Sequence, residues 1–445
     1  MSLTRSLASL SVLLVAGPML AAQVFVVDAA GGAGSHFTDL PAAVAAVSDG
    51  ATLRVRAGNY TGFVIDGKGL TIVGEGGVVS VNTSGAVATP VVVQRTTGQQ
   101  PVLLKGLTFT GFWFRGAVEI RQAAGPVVLD SIGCTEPATD FLVDQSANVL
   151  FHACSLVGGG FLSEGPTTQP KLRVVDSVLE LSFCAVNGHD QGNASWWQGS
   201  LPGYPAMTLL RSRCVLTAST LRGGYGMRGC HHQGPGRCGV WAPGTGGLGI
   251  DAEASTLVIR SSTIAGQRGH AEFFHVTGLV PAGNGGDGLR LRAGSRATAL
   301  LSSVEAGPGG APNGLAGVAS VVDTTSTLVV DPTARPTSVE LLGTHTRGGS
   351  ADFVVLGAPL SPAVLLFSYR ADIVPLEPIA FGSMLASIPL VLGPYSLSPL
   401  GELRGSIPLS TTWPVGETYF AQALSLAPGT NAIWPSNRVV LHVNH

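Results

Sequence analysis

Short apolar runs, each a few residues long and each ended by Gly, Asp or Asn, recur through most of this chain, and no other feature narrows its fold as much. In the stretch GNYTGFVIDGKGLTIVGEGG (58–77), "FVI" gives way to "DGKG", then "LTIV", then "GEGG". Helices repeat every three or four residues and half-buried strands alternate, whereas this texture fits short strands joined by tight turns. Similar phrases return as LLKGLTFTG (103–111), VVLDSIGC (127–134), VLFHACSLVGG (149–159), LRVVDSVLEL (172–181), VLTASTLRGG (215–224), LVIRSSTIAG (257–266) and ALLSSVEAG (299–307). Early copies lie about 21–25 residues apart and later ones about 41–43. A period in the low twenties with three short strands is one turn of a right-handed parallel β-helix, whose coils stack ~4.8 Å apart. Inward Val, Leu and Ile then lie over their equivalents, Leu257 over Leu300 for example, and Gly or Ser is expected at the corners. The longer later periods are read as one coil plus an inserted loop.

Composition agrees. Gly numbers 61, hydrophobic residues make up 45% and charged residues only 12%, about half the usual charged fraction. Disorder needs the opposite balance. The formal charge of −2 offers no global field for nucleic acid or an anionic membrane. A solenoid needs a lid on its first coil, and FTDLPAAVAAVS (37–48) supplies a short helix: Thr38 or Asp39 can cap it and Pro41 suits its first turn.

The segment VFVVDAAGGAGSHFTDLPAAVAAVSDGATLRVRAGNY resembles the opening of the pectate-lyase-like parallel β-helix superfamily, through Gly31, Gly32, Gly34, Phe37, Gly50 and Gly58–Tyr60. The resemblance is specific over the first sixty residues and extends as texture to about residue 320. It implies the fold. It says less of activity, because the superfamily holds lyases, hydrolases, epimerases, tailspikes and adhesins.

Residues 1–22, MSLTRSLASLSVLLVAGPMLAA, read as a secretory signal, with Arg5, an apolar stretch and small residues at Ala21–Ala22. No later segment reads as a transmembrane span, so the expected location is secreted or cell-surface. Residues 23–322 form the solenoid in this reading. From 323 to 445 the pattern becomes Pro- and Gly-punctuated strands, expected to be a small antiparallel β-sandwich. The fold class is therefore all-β. The ending YFAQALSLAPG…SNRVVLHV is similar to C-terminal modules of secreted bacterial surface proteins, and the module is expected to cap the solenoid or attach it to something.

The inserts carry the candidate chemistry, because loops on a rigid scaffold hold function disproportionately. The first (187–206) contains His189, Asp190, Trp196, Trp197 and Tyr204; the second (224–244) contains Tyr225, Arg228, His231, His232, Arg237 and Trp241. Sugars stack on aromatic rings while Asp, Arg and His bind their hydroxyls or carboxylates, so these loops suit a carbohydrate groove; equally, the Trp residues suit packing that pins long loops down. In an exported chain Cys230 and Cys238, in CHHQGPGRC, fit a disulfide better than a zinc knuckle. Cys134 and Cys154 fall near equivalent places on successive coils and can be bridged or stack as buried thiols. HAEFFH (270–275) lacks the spacing of a zinc-binding helix.

The preferred function is non-catalytic binding of a polysaccharide or surface glycan, or a structural and adhesive role. The alternative is a polysaccharide lyase or glycoside hydrolase acting on an acidic polysaccharide through the 187–245 loops. A lyase needs a cation, Ca²⁺ or Arg, beside the uronate and a base for the C5 proton; a hydrolase needs paired carboxylates. Neither pattern is visible, and no cofactor or metal is called for otherwise.

Overall fold

The computed structural model describes residues 23–83, 90–110, 116–134, 139–157, 170–190, 202–226, 230–232, 238–240, 244–271, 273–275, 278–280, 282–343, 345–368, 373–375, 383–385, 390–409, 411, 418–426 and 433–443. The signal-like residues 1–22 lie outside them. The chain forms a parallel β-helix followed by an antiparallel sandwich. Each coil has three walls, as in Val127–Asp130, Gly133–Cys134 and Thr139–Asp144, followed one coil later by Val149–His152, Ser155–Leu156 and Leu172–Val175. Every wall pairs in parallel with its equivalent above and below, and the third wall stacks nine described strands. One core runs the length of the stack, from Leu53, Ile72 and Leu104 to Leu257, Leu289 and Ala299. "DGKG" is a corner between two walls, as expected, with Gly67 at φ +61°. The helix Leu40–Ala46 closes the first coil: Asp39 accepts from Leu40 N–H, Pro sits in the first turn, and Leu40, Ala43 and Val44 are buried.

One expectation about stacking needs correction. Leu257 lies over Ala297, and Leu300 lies over Arg260, so Leu257 and Leu300 are on neighbouring coils but three residues out of register. The expected Gly or Ser does stand at the corners, Gly67 at one and Ser146, Ser177, Ser212 and Ser255 at another, but the left-handed position beside each serine is held by other residues. Gln145, Asp176, Arg211 and Ala254 hold one corner, and Ala153, Phe183, Ala218 and Ser261 another, all at φ between 47° and 56°. Left-handed backbone in non-glycine residues costs energy, and here a ladder holds it. The N–H of each such residue donates to the next coil, as Asp176 does to Leu210 O and Arg211 to Glu253 O, both at 3.0 Å.

Serine follows each of these residues at the first corner and supplies a second ladder. The N–H of Ser146 donates to Ser177 Oγ, Ser177 to Ser212, Ser212 to Ser255, Ser255 to Ser295 and Ser295 to Ser326, at 2.9–3.1 Å. Each hydroxyl in turn donates to a carbonyl of its own coil, such as Ser212 to Leu210 O at 2.7 Å. The other corner repeats the device through Cys184, Ser219, Ser262 and Ser302. Buried backbone N–H groups that would be orphans at a bend are thereby satisfied.

That column explains the cysteines. Cys154 and Cys184 occupy corner positions where later coils place Ser219 and Ser262, and each thiol donates to carbonyls at 3.3 Å. Cys134 lies on a wall, and Lys171 Nζ donates to its sulfur at 3.4 Å. Cys134 and Cys154 are therefore buried thiols, not a disulfide. They sit at different places in the coil, since Gly133 pairs with Ser155. Cys230 and Cys238 lie on a small antiparallel hairpin whose register sets Cys230 opposite Val240 and Cys238 opposite His232; their side chains fall outside the described set.

The sandwich consists of a three-stranded sheet (Ser338–Leu342, Ser350–Leu356, Glu402–Pro408) and a four-stranded one (Leu390–Ser396, Pro362–Ser368, Thr418–Leu426, Ile433–His442). The last solenoid strand is Thr327–Asp331, so the junction falls at 332–337. The sandwich lies along the flank of the solenoid. Phe420 and Val440 pack on Leu103, Val128 and Leu150, the outward residues of three successive coils. Arg438 donates to Glu180 Oε2 at 2.8 Å and to Asn148 Oδ1 at 3.0 Å, and Arg260 donates to the Pro435 carbonyl. This wall is thus buried on both faces, which is why VVL (127–129) and VLF (149–151) read as unbroken apolar runs.

On the same outer face Asp130 accepts from Lys105 Nζ and meets His152 Nδ1, both at 2.8 Å. Burial alone would raise the Asp130 pKa, but the hydrogen bond to His152 and the Lys105 charge outweigh it and hold the carboxyl at about 2. Unfolded, it would titrate near the ordinary value of 3.8. The pairing therefore contributes stability, about 2 kcal/mol, that is present above pH ~4 and lost as the pH falls toward ~2. Denaturant titrations across that window should show a smaller loss of stability in Asp130→Asn than in the wild type. Equal slopes would mean that Asp130 carries none of it.

Candidate functional site

Four inserts leave the second wall after Ala185–Asn187, Thr220–Arg222, Thr263–Ala265 and Ser303–Glu305, and return to the third wall at Met207–Leu210, Ile250–Glu253, Leu289–Arg292 and Ser320–Val322. Their stems are the Gly-rich segments. Glycines recur at every third residue, as Gly223/Gly226, Gly244/Gly247, Gly266/Gly269, Gly283/Gly286, Gly307/Gly310 and Gly314/Gly317. Three residues per turn is the repeat of the extended polyproline-II helix.

The stems run side by side and are hydrogen-bonded to one another. The N–H of Gly317 donates to Gly307 O, Gly307 to Gly286, Gly286 to Gln267, Gln267 to Gly247, Gly247 to Gly224, and Gly224 to Tyr204, all at 2.8–2.9 Å. One bond thus links each stem to the next across the inserts. A Cβ on Gly246 would stand 1.7 Å from Gln267 O, one on Gly285 1.8 Å from Gly307 O, and one on Gly224 1.9 Å from His189 O. Only glycine permits such an approach. The "GG" runs are therefore not corners of the coil. They form a packed backbone bundle on one side of it, carrying the insert tips.

The structure places the sequence candidates unequally. His189, 1% exposed, directs Nε2 at Asp140 Oδ1 across 49 residues of sequence. Its carbonyl accepts from Tyr204 N–H at 3.3 Å, and Tyr204 is buried as well. Both belong to the root of the bundle rather than to an open groove. Asp190 accepts from the N–H of Tyr225 at 2.8 Å, joining the first insert to the second. Burial raises the Asp190 pKa, while that hydrogen bond and nearby His189 oppose the shift. Tyr225 is 48% exposed and is the described candidate best placed to meet a ligand. Trp196, Trp197, Arg228 and Trp241 lie outside the described residues.

Asp140 and Lys171 are the polar residues that sequence reasoning did not attach to this region. Phe141 pairs with Leu172, which puts Asp140 and Lys171 level on adjacent coils. Lys171 is fully buried, with its amine on Cys134. Lysine occurs only at 68, 105 and 171, and that scarcity was the signal available. The Asp140–His189 pair lies beneath the surface, and the Nδ1 of His189 has no hydrogen-bond partner among the described residues. Its geometry suits a brace that fixes where the first insert leaves the coil. HAEFFH contributes a hairpin, Phe273–His275 with Gly278–Val280, not a helix. Among the described residues no group of three or more His, Cys, Asp or Glu could hold a metal ion, and no helix is long and apolar enough to cross a membrane. Compared with known proteins, the chain matches no family model, no curated protein and no solved structure.

Proposed function

We propose that this chain is a secreted or cell-surface carbohydrate-binding protein that uses the tips of its inserts as the recognition edge. The glycine bundle is the observation that carries the reading. A stack of backbone so close that no side chain fits is an extravagant way to root a loop unless the loop's position matters, and it aligns four inserts along one side of the coil. The inserts also concentrate the aromatic and polar types that recognise sugars: Trp196, Trp197, Tyr225 and Trp241 with Asp190, Arg228 and His231. The likeness of the first sixty residues to the pectate-lyase-like superfamily supports a polymeric sugar as the partner.

Binding is favoured over catalysis because the titratable pair in contact here, Asp140 with His189, is buried under the bundle root, whereas a general acid or base must reach its substrate. The test is a glycan array probed with the full chain. Trp196→Ala/Trp197→Ala and Tyr225→Ala should each weaken retained binding by about tenfold or more, the loss of roughly 1.4 kcal/mol, with unchanged thermal unfolding. Unaltered binding in both variants would remove the insert tips from recognition. Accumulation of unsaturated uronate products would instead make the chain a lyase.

A further inference from the structure

The two ends of the solenoid are finished differently. At the N-terminal end the helix Leu40–Ala46 buries Leu40, Ala43 and Val44 over the first coil, and Val24–Val27 extends the sheet beside it. At the other end Ser320–Val322 and Thr327–Asp331 are paired on one side only among the described residues. Register shows what this leaves open. Val322 lies on Leu291, Leu328 on Ala297 and Val330 on Ala299, three residues that are at most 2% exposed. Val322 and Val330 continue those core columns, yet they are 38% and 53% exposed. The core is thus open to water at its last layer, along with two unpaired strand edges.

The exposed apolar surface spreads outward from there. Val329, 57% exposed, follows Thr298 in the outward column that carries Leu150, Glu180, Val215 and Val258 on earlier coils, where its apolar members are buried. Leu315 and Val318, at 70% and 54%, are exposed on the last insert of the same layer, beside the Asn284–Gly288 stem. Contiguous apolar surface rimmed by polar residues marks an interaction site.

We infer that this end docks on the same end of a second copy of the chain, forming a two-fold dimer with Thr327–Asp331 antiparallel to its counterpart. Two features select that occupant. The opposite end of a copy is covered, by the helix over the first coil and by His36 and Phe37 on the free edge of Val24–Val27, so head-to-tail stacking has no matching edge, and a closed like-with-like pairing remains. Centred on Val329, the antiparallel register sets Leu328 against the second copy's Val330 and Thr327 against its Asp331, so no like charges meet. Arg296, one strand above Thr327, is then on the side of that Asp331.

Analytical ultracentrifugation of the full chain, from micromolar concentration upward, should show a monomer–dimer equilibrium, and Val329→Arg should leave only monomer with the same thermal unfolding. Val329→Cys should form an intermolecular disulfide on air oxidation, while Val64→Cys, exposed on another wall, should not. A wild type that stays monomeric overturns the inference. So does a dimer that survives Val329→Arg, or equal cross-linking of the two cysteine variants. If Val329→Arg fails to fold, the cross-linking comparison decides alone.

Discussion

Gly246→Ala is expected to deprive the protein of its native fold, with a loss of about 4 kcal/mol or more, the range reached when a substitution forces buried backbone apart. The added Cβ would stand 1.7 Å from Gln267 O and 2.8 Å from Gly286 N, both backbone atoms held by the hydrogen bonds of neighbouring stems. No rotamer change relieves such an overlap. Displacing one stem would break bonds on both sides of it, so the damage spreads across the bundle. Two controls separate packing from backbone freedom. Gly98 has no atom within 4 Å of a built Cβ and an ordinary φ, and alanine there should cost nothing measurable. Gly294 is equally open but sits at φ +78°, so alanine should cost about 1 kcal/mol. Denaturant unfolding followed by circular dichroism ranks the three. A Gly246→Ala protein within 1 kcal/mol of wild type would show that the stems are not packed as described.

The second large effect belongs to the seam between solenoid and sandwich. Arg438 is 1% exposed; its guanidinium is held by Glu180 and Asn148, and its own N–H donates to the Glu180 carboxylate at 2.9 Å. Glu180→Ala should destabilise the protein by about 3–5 kcal/mol, because it leaves a guanidinium buried without its counter-charge. Glu180→Leu combined with Arg438→Leu should recover most of that loss, since a buried ion pair can give way to apolar groups of similar volume at little cost. Limited proteolysis locates the effect. The single variant should become cleavable at 332–337 before the coils unfold. If the single and double variants are equally stable, the pair is not what joins the two parts.

The coils were legible because their signal is local. A short apolar run and the turn that ends it sit within ten residues, so FVI–DGKG–LTIV reads directly as wall, corner and wall. The capping helix was legible for the same reason, through Asp39 and Pro41. Register was harder. Corner lengths vary, and counting from phrase to phrase put Leu300 three residues out of step with Leu257. The role of the glycine runs in the inserts was not legible for a physical reason: glycine serves both sharp bends and close backbone approach, and a sequence does not say which. Their three-residue spacing was the discriminating feature. Asp140 and His189 are 49 residues apart and meet only because one coil and the root of an insert intervene, which no local pattern encodes. The sandwich's seat on the flank had a visible trace in the unbroken apolar runs VVL (127–129) and VLF (149–151).

The corner hydroxyls give the solenoid an arrow. Every coil from Ser146 onward offers its N–H to the oxygen of the coil that follows, and lends its own oxygen to the coil before. Shortening the protein from its far end therefore strips an acceptor from the newly terminal layer, while shortening it from the near end leaves only an oxygen with a spare lone pair. A duplicated unit dropped into the middle brings one of each and disturbs neither neighbour, so lengthening by internal copying is the change this architecture absorbs most easily.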